Sequence, residues 1–117
     1  MSMYLIDKTR TTEWDVMLST VRDKKYNQPI ITVIDAASFQ PIAQMTHACL
    51  GLKENEALVD NTQNYDFIDF IKRYHIGVQS PASTDIKYPS FDFTEMFQAN
   101  EKLKAIFSDK KGESENV

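Results

Sequence analysis

The sequence is poor in cysteine, glycine and proline, and it contains no long hydrophobic run. Its single cysteine, Cys49, excludes a disulfide within the chain, which favours a reducing compartment and predicts a cytoplasmic location. Three glycines and four prolines are too few for a collagen-like or low-complexity chain. No apolar run approaches the ~18 residues that cross a membrane, and residues 1–7 lack the basic leader of a secretory signal. We therefore expect no membrane partner.

The motifs that hold phosphates or metals are also missing. The chain has neither GxGxxG nor GxxxxGK[ST], so a glycine-rich phosphate loop is not expected. His47 and His75 stand in neither an HxxxH nor an HExxH motif, and one cysteine is too few for a thiolate zinc site. On a predicted helix, Cys49 and His47 point in different directions, which argues against a catalytic dyad between them. The sequence thus predicts neither a metal nor a cofactor.

The charge balance is moderately acidic. The 13 basic and 17 acidic residues give a net charge of −4 and a pI of about 5.1. The basic residues are scattered among acidic ones, a pattern typical of a solvated surface, whereas a protein that binds phosphate backbones needs a basic face. We therefore expect no nucleic-acid partner.

The length and composition predict a single globular domain. A chain of 117 residues with 42% hydrophobic and 11% aromatic residues can bury a core without a disulfide or a metal. We place this domain at residues 1–108. Residues 109–117 are polar and are predicted to form a disordered C-terminal tail.

The most strand-like segment is 29–35, Pro-Ile-Ile-Thr-Val-Ile-Asp. A continuous run rich in β-branched residues is typical of a central strand that is buried on both faces, as in a parallel sheet. Residues 36–40 then form a loop, and Pro41 opens a predicted helix that ends at Gly51. Strand, loop and helix in this order form the first half of a βαβ unit.

Other segments predict more helices than strands. A helix after Thr12 is predicted by apolar residues at i, i+3, i+4 and i+7: Trp14, Met17, Leu18 and Val21. Further helices are predicted at 64–74 and 92–107, and short strands at 4–6, 76–78 and 85–88. We therefore predict an α/β domain in which a short mixed sheet is covered by three to four helices, with an α+β arrangement as the alternative.

Residues 43–51, Ala-Gln-Met-Thr-His-Ala-Cys-Leu-Gly, resemble the first helix of the type 2 peptidyl-tRNA hydrolases. That family carries A-Q-x-[ST]-H-A-x-x-G after a strand and a loop. The residues that match it are Ala43, Gln44, His47, Ala48 and Gly51. Residues 31–34 then correspond to the family's first strand. The resemblance implies a mixed sheet sandwiched by helices.

The chain departs from this family at its catalytic positions. The family places a Gly-Lys pair directly before the helix, where this chain has Gln40 and Pro41. The family's D-A-G-x-T segment has no counterpart, since residues 83–85, Ser-Thr-Asp, do not match it. Because the missing lysine is the group that would engage the RNA backbone or polarise the ester, the resemblance implies the fold without the hydrolase activity.

The leading hypothesis for function is a cytoplasmic protein-interaction or regulatory protein without catalytic activity. It follows from the lack of an assembled catalytic set and from a dense group of aromatic residues late in the chain: Tyr88, Phe91, Phe93 and Phe97. Aromatic side chains are enriched at protein interfaces, so we interpret this group as the binding surface for a protein partner. A homo-oligomer is a third possibility.

The alternative hypothesis is a small hydrolase or ligand-binding protein with the peptidyl-tRNA-hydrolase-like fold. Open α/β sheets bind ligands at the carboxyl ends of their strands. A pocket is therefore expected after the predicted 29–35 strand. Its lining would come from Ser38, Gln40 and Gln44, and Asp35 or His47 would act as the acid-base group.

Overall fold

Residues 3–9, 12–81, 83 and 85–99 are described by the structure, which is a computed structural model. This part of the chain is mostly β and forms two four-stranded antiparallel sheets. Sheet 1 has the order β1-β2-β3-β4, with bounds Met3–Ile6, Glu13–Arg22, Pro29–Asp35 and Pro41–Gln44. Sheet 2 has the order β5-β6-β8-β7, and the bounds of β5 to β8 in chain order are Thr46–His47, Glu56–Val59, Val78–Gln79 and Ser90–Asp92.

The helical segments of the described residues are short. The helix α1 spans Phe67–Arg73 and follows β6, and residues 94–99 are also helical. The Asp66 carboxylate caps α1 by accepting the Asp69 amide, and basic side chains close its last turn. Within the described ranges, neither helix has the length and apolar character that a membrane crossing requires.

Two tight turns connect the long strands of sheet 1. Between β2 and β3, the Asp23 carboxylate accepts the amides of Lys25 and Tyr26. Between β3 and β4, the Asp35 carboxylate accepts the amides of Ala37 and Ser38 in the same way. Such side-chain caps are typical of Asp in turns, and they fix the register of both hairpins.

The chain passes from sheet 1 to sheet 2 at Met45 and Thr46. The Met45 amide donates to the Ile31 carbonyl at 2.8 Å. The buried Thr46 hydroxyl donates to the Pro29 carbonyl at 2.9 Å and accepts the Ile31 amide at 2.8 Å. This hydroxyl satisfies two buried backbone groups of β3 where the ladder to β4 has ended.

One hydrophobic core joins both sheets and α1. Sheet 1 contributes alternate residues of its strands, Leu5, Val16, Ile31 and Val33. The rest of the described core comes mainly from sheet 2 and α1, including Ala57, Val59, Phe67, Phe70, Ile71, Phe91 and Phe93. The core therefore lies against one face of sheet 1, and the opposite face points away from it.

The α/β prediction, with a mixed sheet covered by three to four helices, is wrong. All strand pairs of the described residues are antiparallel, and two short helical segments cannot cover a sheet. The α+β alternative overstates the helices in the same way. The strand predicted at 29–35 is confirmed as β3, which lies between β2 and β4. Only one of its faces is buried, however, by Ile31 and Val33.

The helix predicted after Thr12 is also wrong, because its four apolar residues lie in β2. Leu18 packs against the core, whereas Met17 is 41% exposed and Val21 is 60% exposed on the other face. Trp14 also packs inward, next to the buried Val16. The helix-like spacing therefore combined residues from the two faces of one strand.

The helix predicted from Pro41 to Gly51 is replaced by the strands β4 and β5. Pro41 opens β4 at the edge of sheet 1, where a missing N–H costs no central ladder bond. Gly51 has a φ of +93°, which suits glycine in the turn after β5. The resemblance to a hydrolase helix at 43–51 thus falls on a segment that is not helical.

The remaining predictions have mixed outcomes. The strand at 4–6 is confirmed within β1, and the helix at 64–74 is confirmed in part as α1. Residues 85–88 form bends rather than a strand. The predicted tail at 109–117 and the domain boundary at 108 lie outside the described residues.

Candidate functional site

The residues predicted to line a pocket do not come together. Asp35 is the last residue of β3, and Ser38 and Gln40 lie in the exposed turn that follows it. Hydrogen bonds from the backbone amides of Ser38 and Ala37 lower the pKa of Asp35, so its carboxylate stays ionised as a turn cap. Asp35 therefore serves the hairpin rather than a reaction.

Gln44 and His47 do lie together, at the junction of the two sheets. The Gln44 side-chain amide donates to the Thr46 carbonyl at 2.8 Å and lies 3.2 Å from Nδ1 of His47. On its other side, Nε2 of His47 lies 3.1 Å from Oδ2 of Asp60, which follows β6. Asp60 is a member of this cluster that the sequence analysis did not single out.

Asp60 is the strongly perturbed carboxylate of this cluster. Burial raises its pKa, but hydrogen bonds from the Thr62 hydroxyl, His47, the Thr62 amide and Gln63 outweigh that effect and lower the pKa from 3.8 to about 2. The ionised carboxylate accepts bonds on both of its oxygens. It therefore acts as the anchor of the cluster, with little acceptor capacity left for a substrate.

The hydrogen-bond network assigns the tautomer of His47. Because the Gln44 nitrogen is oriented by the Thr46 carbonyl, it presents an N–H to Nδ1 of His47, which accepts. The proton of the neutral imidazole then lies on Nε2 and faces Asp60. Neither ring nitrogen therefore has a free lone pair that could take a proton from a nucleophile, although the His47 side chain is 41% exposed.

The aromatic residues predicted to bind a partner are distributed between the core and the surface. Phe91 and Phe93 are fully buried in the core, so they present no surface to a partner in this conformation. Tyr88 is 37% exposed and meets the His47 ring edge-on, with 6.4 Å between ring centroids. Phe97 is half-buried beneath the Arg22 guanidinium, which lies 4.2 Å above its ring.

A concave surface lies elsewhere, along β7. We call it the β7 groove: a cavity of about 450 Å³ whose lining includes Glu56, Val78, Ser80, Asp92, Glu95 and Gln98. Register places Glu56, Asp92 and Val78 opposite one another on one face of sheet 2. The helical residues 94–98 form the wall beside this floor.

A second cavity, of about 360 Å³, borders the same strand. Its lining includes Lys72, His75 and Gly77, and it shares Val78, Gln79 and Glu95 with the β7 groove. The free edge of β7 thus has open space along it.

β7 leaves half of its backbone groups outside the ladder of sheet 2. The Ser80 amide donates to the Ser90 carbonyl at 3.0 Å, so Ser80 and, two residues earlier, Val78 point their backbone groups towards β8. The N–H and C=O groups of Gln79 and Gly77 therefore point away from the sheet, and none of the described residues bonds to them.

The β7 groove is negatively charged. Glu56, Asp92 and Glu95 line it together with one basic residue, Lys53. The Glu56 carboxylate accepts the Ser80 hydroxyl at 2.6 Å, and Asp92 caps the following helical turn by accepting the Thr94 amide. Glu95 is exposed and makes no ion pair or hydrogen bond with the described part of the chain. The groove therefore offers fixed acceptors and one free carboxylate.

No protein-family model, no curated protein and no solved structure matches this chain. Within the ranges that the structure describes, no group of three or more His, Cys, Asp or Glu side chains is arranged to hold a metal ion. Two local arrangements bear on function: the cluster of Gln44, His47 and Asp60, and the β7 groove.

Little in the sequence points to either arrangement. Asp60 begins an Asp-Asn-Thr triplet, which matches the turn pattern in which a carboxylate binds the residue two positions later. The β7 groove depends on β7 pairing with β8 rather than with a neighbour in sequence. Local patterns do not encode such a pairing.

Proposed function

We propose that this chain is a non-catalytic protein-interaction domain that binds an extended, basic segment of a protein partner as an added strand on β7. The observation that carries the proposal is the free backbone of Gly77 and Gln79 beside the acidic β7 groove. The leading hypothesis from the sequence placed the partner between Tyr88 and Phe97. The present proposal moves the partner from those aromatic residues to β7, with only Asp92 and Glu95 of that region beside the site.

Strand addition uses groups that β7 already presents. Gly77 and Gln79 are two residues apart, which is the spacing at which one strand edge exchanges hydrogen bonds with an added strand. Exposed strand edges invite such pairing, and proteins that avoid it cover or charge them. Here the edge stays open, and Val78 beside it is 60% exposed.

The charges beside the edge favour a basic partner. Alternate side chains of an added strand would fall on the face of sheet 2 that carries Glu56 and Asp92. A lysine or arginine at those positions would extend across Val78 towards Asp92 and the free carboxylate of Glu95. Glu56 lies on β6, three strands from the added one, and adds to the negative charge at longer range. The net charge of −4 would also attract a basic segment at long range.

A hydrolase or ligand-binding function has less support. Its proposed acid-base residues, Asp35 and His47, lie in different elements: the end of β3 and the edge strand β5. Asp35 binds turn amides, and both ring nitrogens of His47 already have partners. A cytoplasmic partner is part of the proposal because of the single cysteine.

The test uses peptides selected from a random 12-residue display library on the immobilised protein. We expect enriched peptides to carry Lys or Arg at alternate positions. Gln79→Pro should weaken their binding by about tenfold or more, because proline removes one outward N–H donor and crowds the edge. Gln79→Thr is the matched control, since it changes the side chain but keeps the N–H.

The Gln79→Pro variant should remain folded, because the Gln79 N–H points away from β8 and takes no part in the ladder. A thermal melt checks this. Glu95→Gln should reduce binding of the same peptides and its dependence on salt. Equal binding by the proline and threonine variants, or enrichment of peptides without basic residues, would contradict the proposal.

A further inference from the structure

The outer face of sheet 1, which points away from the core, carries a band of apolar residues. Register pairs Met17 with Ile34 and Val21 with Ile30 across β2 and β3. None of these four side chains belongs to the core cluster or packs against it. Met17 is 41% exposed and Val21 is 60% exposed.

This apolar band explains the continuous hydrophobic run of β3. An antiparallel sheet with one solvated face normally alternates apolar and polar residues. β3 instead places Ile30 and Ile34 on its outer face, opposite Val21 and Met17. An exposed apolar patch of this kind on a sheet marks an interaction surface.

The outer face is arranged symmetrically about its centre. Ser19 and Thr32 form the central cross-strand pair, and an apolar pair stands two residues away on each side. Consider a two-fold axis that passes through this centre, lies parallel to the sheet and runs across its strands. It would place the Met17–Ile34 pair of one copy on the Val21–Ile30 pair of the other. It would also place the central hydroxyls of the two copies opposite each other.

The charges at the two ends of β2 follow the same symmetry. Glu13 and Asp15 are exposed on the outer face at one end, and Lys24 and Lys25 are exposed in the turn at the other end. The acidic groups near the lysines are engaged locally. Asp23 accepts turn amides, and the Glu54 carboxylate accepts the Asn27 side chain.

We infer that the outer face of sheet 1 binds a second copy of this chain in a two-fold dimer. In that dimer, the acidic end of one copy lies over the lysines of the other at both ends of the interface. A two-fold interface needs a surface that complements itself, and this face does so in both its apolar pairs and its charges. The inference is independent of the β7 groove, which lies on sheet 2.

The size of the face indicates how tightly the copies associate. Four strands about 4.8 Å apart and about seven residues long, at about 3.3 Å per residue, cover about 400 Å². Stable interfaces bury about 800 Å² on each partner. Because this face is about half that size, we expect a weak and reversible dimer.

The test is sedimentation of the full chain at concentrations from about 5 µM to about 1 mM, a range in which a weak dimer forms and dissociates. We expect the wild-type mass to rise from monomer to dimer. Met17→Lys should weaken the dimer by at least tenfold, because it places a charge in the apolar contact. Val78→Thr, which changes an exposed apolar residue on sheet 2, is the matched control and should leave the dimer unchanged.

Charge reversal tests the two-fold arrangement directly. The variant E13K/D15K is basic at both ends of β2, and K24E/K25E is acidic at both ends. Each alone should dimerise at least tenfold more weakly than the wild type, whereas an equimolar mixture should recover a heterodimer. All these positions are exposed, and circular dichroism checks that the variants fold.

Three outcomes would overturn the inference. The first is a wild-type chain that stays monomeric over the whole concentration range. The occupant of this face would then be something other than a second copy, such as another protein or residues 100–117. The second is a wild-type dimer that Met17→Lys leaves intact. The third is a mixture of the two reversed variants that stays monomeric while the wild type dimerises. Peptide binding at β7 is measured separately, so its failure would leave this result standing.

Discussion

Gly77 packs directly against the ring of Phe93, with no room for a side chain between them. A β-carbon at position 77 would lie 2.8 Å from Cδ1 and 2.9 Å from Cε1 of that ring, and 3.0 Å from the Asp92 carbonyl oxygen. Phe93 is fully buried, so its ring cannot turn aside without moving the core. The close contact sets how β7 lies on β8.

We therefore expect Gly77→Ala to lower the free energy of unfolding by about 1–3 kcal/mol through overpacking. Urea denaturation measures this change. Because the clash lies beside β7, the same variant should also weaken peptide binding at the β7 groove. An alanine variant with wild-type stability would show that β7 is not held against Phe93.

Gly51→Ala provides a contrast with a different cause. A β-carbon at Gly51 meets nothing within 4 Å, but the residue has a φ of +93°. The expected cost is about 1 kcal/mol of backbone strain. Peptide binding should be unchanged, since Gly51 does not line the β7 groove.

A separate prediction concerns the Thr46 hydroxyl, which connects β3 to β5 inside the core. Thr46→Val keeps the shape but leaves the Ile31 amide and the Pro29 carbonyl without their partner. We expect a loss of about 2–3 kcal/mol in the free energy of unfolding, the cost of unsatisfied buried groups. The measurement is urea denaturation of the purified variant.

Thr46→Ser is the matched control for that prediction. Serine keeps the hydroxyl and loses one buried methyl group, which costs about 1 kcal/mol. The valine variant should therefore be the less stable of the two. The opposite order would mean that packing of the methyl group, rather than the hydrogen bonds, joins the two sheets.

The apolar pattern predicted β3 but not β2, although both strands carry apolar residues on both of their faces. The 29–35 segment was recognised as a strand from its β-branched residues, and β3 confirms it. β2 was mistaken for a helix because Met17 and Val21 are apolar on the outer face. With apolar residues on both faces, a strand loses its period of two, and a helix-like spacing can arise by coincidence.

The prediction that Pro41 begins a helix was wrong for a related physical reason. Proline lacks an N–H, which suits both the first turn of a helix and the start of an edge strand. The sequence alone does not separate these two positions. What decides is that β4 pairs with β3 at the edge of sheet 1, and that pairing forms between segments rather than within one.

The candidate site was less predictable than the fold. Gln44 and His47 were singled out, and they lie together with Asp60 in one cluster. The resemblance that supported His47 did not include Asp60 or the strand pairing that brings it near. The acidic lining of the β7 groove comes from segments far apart in the chain, around Glu56 and Asp92.

Asp60 also makes the stability of the fold depend on acidity. Its pKa is about 2 in the folded chain and 3.8 as an ordinary carboxyl. A carboxyl whose pKa is lowered by folding stabilises the fold while it is ionised. The contribution is therefore complete above about pH 4 and is lost as the pH falls towards 2. The difference corresponds to about 2 kcal/mol.

Asp60→Asn should remove this pH-dependent contribution. We expect the variant to be about 2 kcal/mol less stable than the wild type at pH 7, and the two to converge as the pH falls from about 4 to 2. Urea denaturation at pH 7, 4 and 2.5 measures both curves.

Asp69→Asn serves as the control, because Asp69 forms an exposed ion pair with Arg73 that contributes less than about 1 kcal/mol. Parallel curves for Asp60→Asn and the wild type between pH 4 and 2.5 would mean that the bonds from Thr62, His47 and Gln63 do not hold Asp60 ionised.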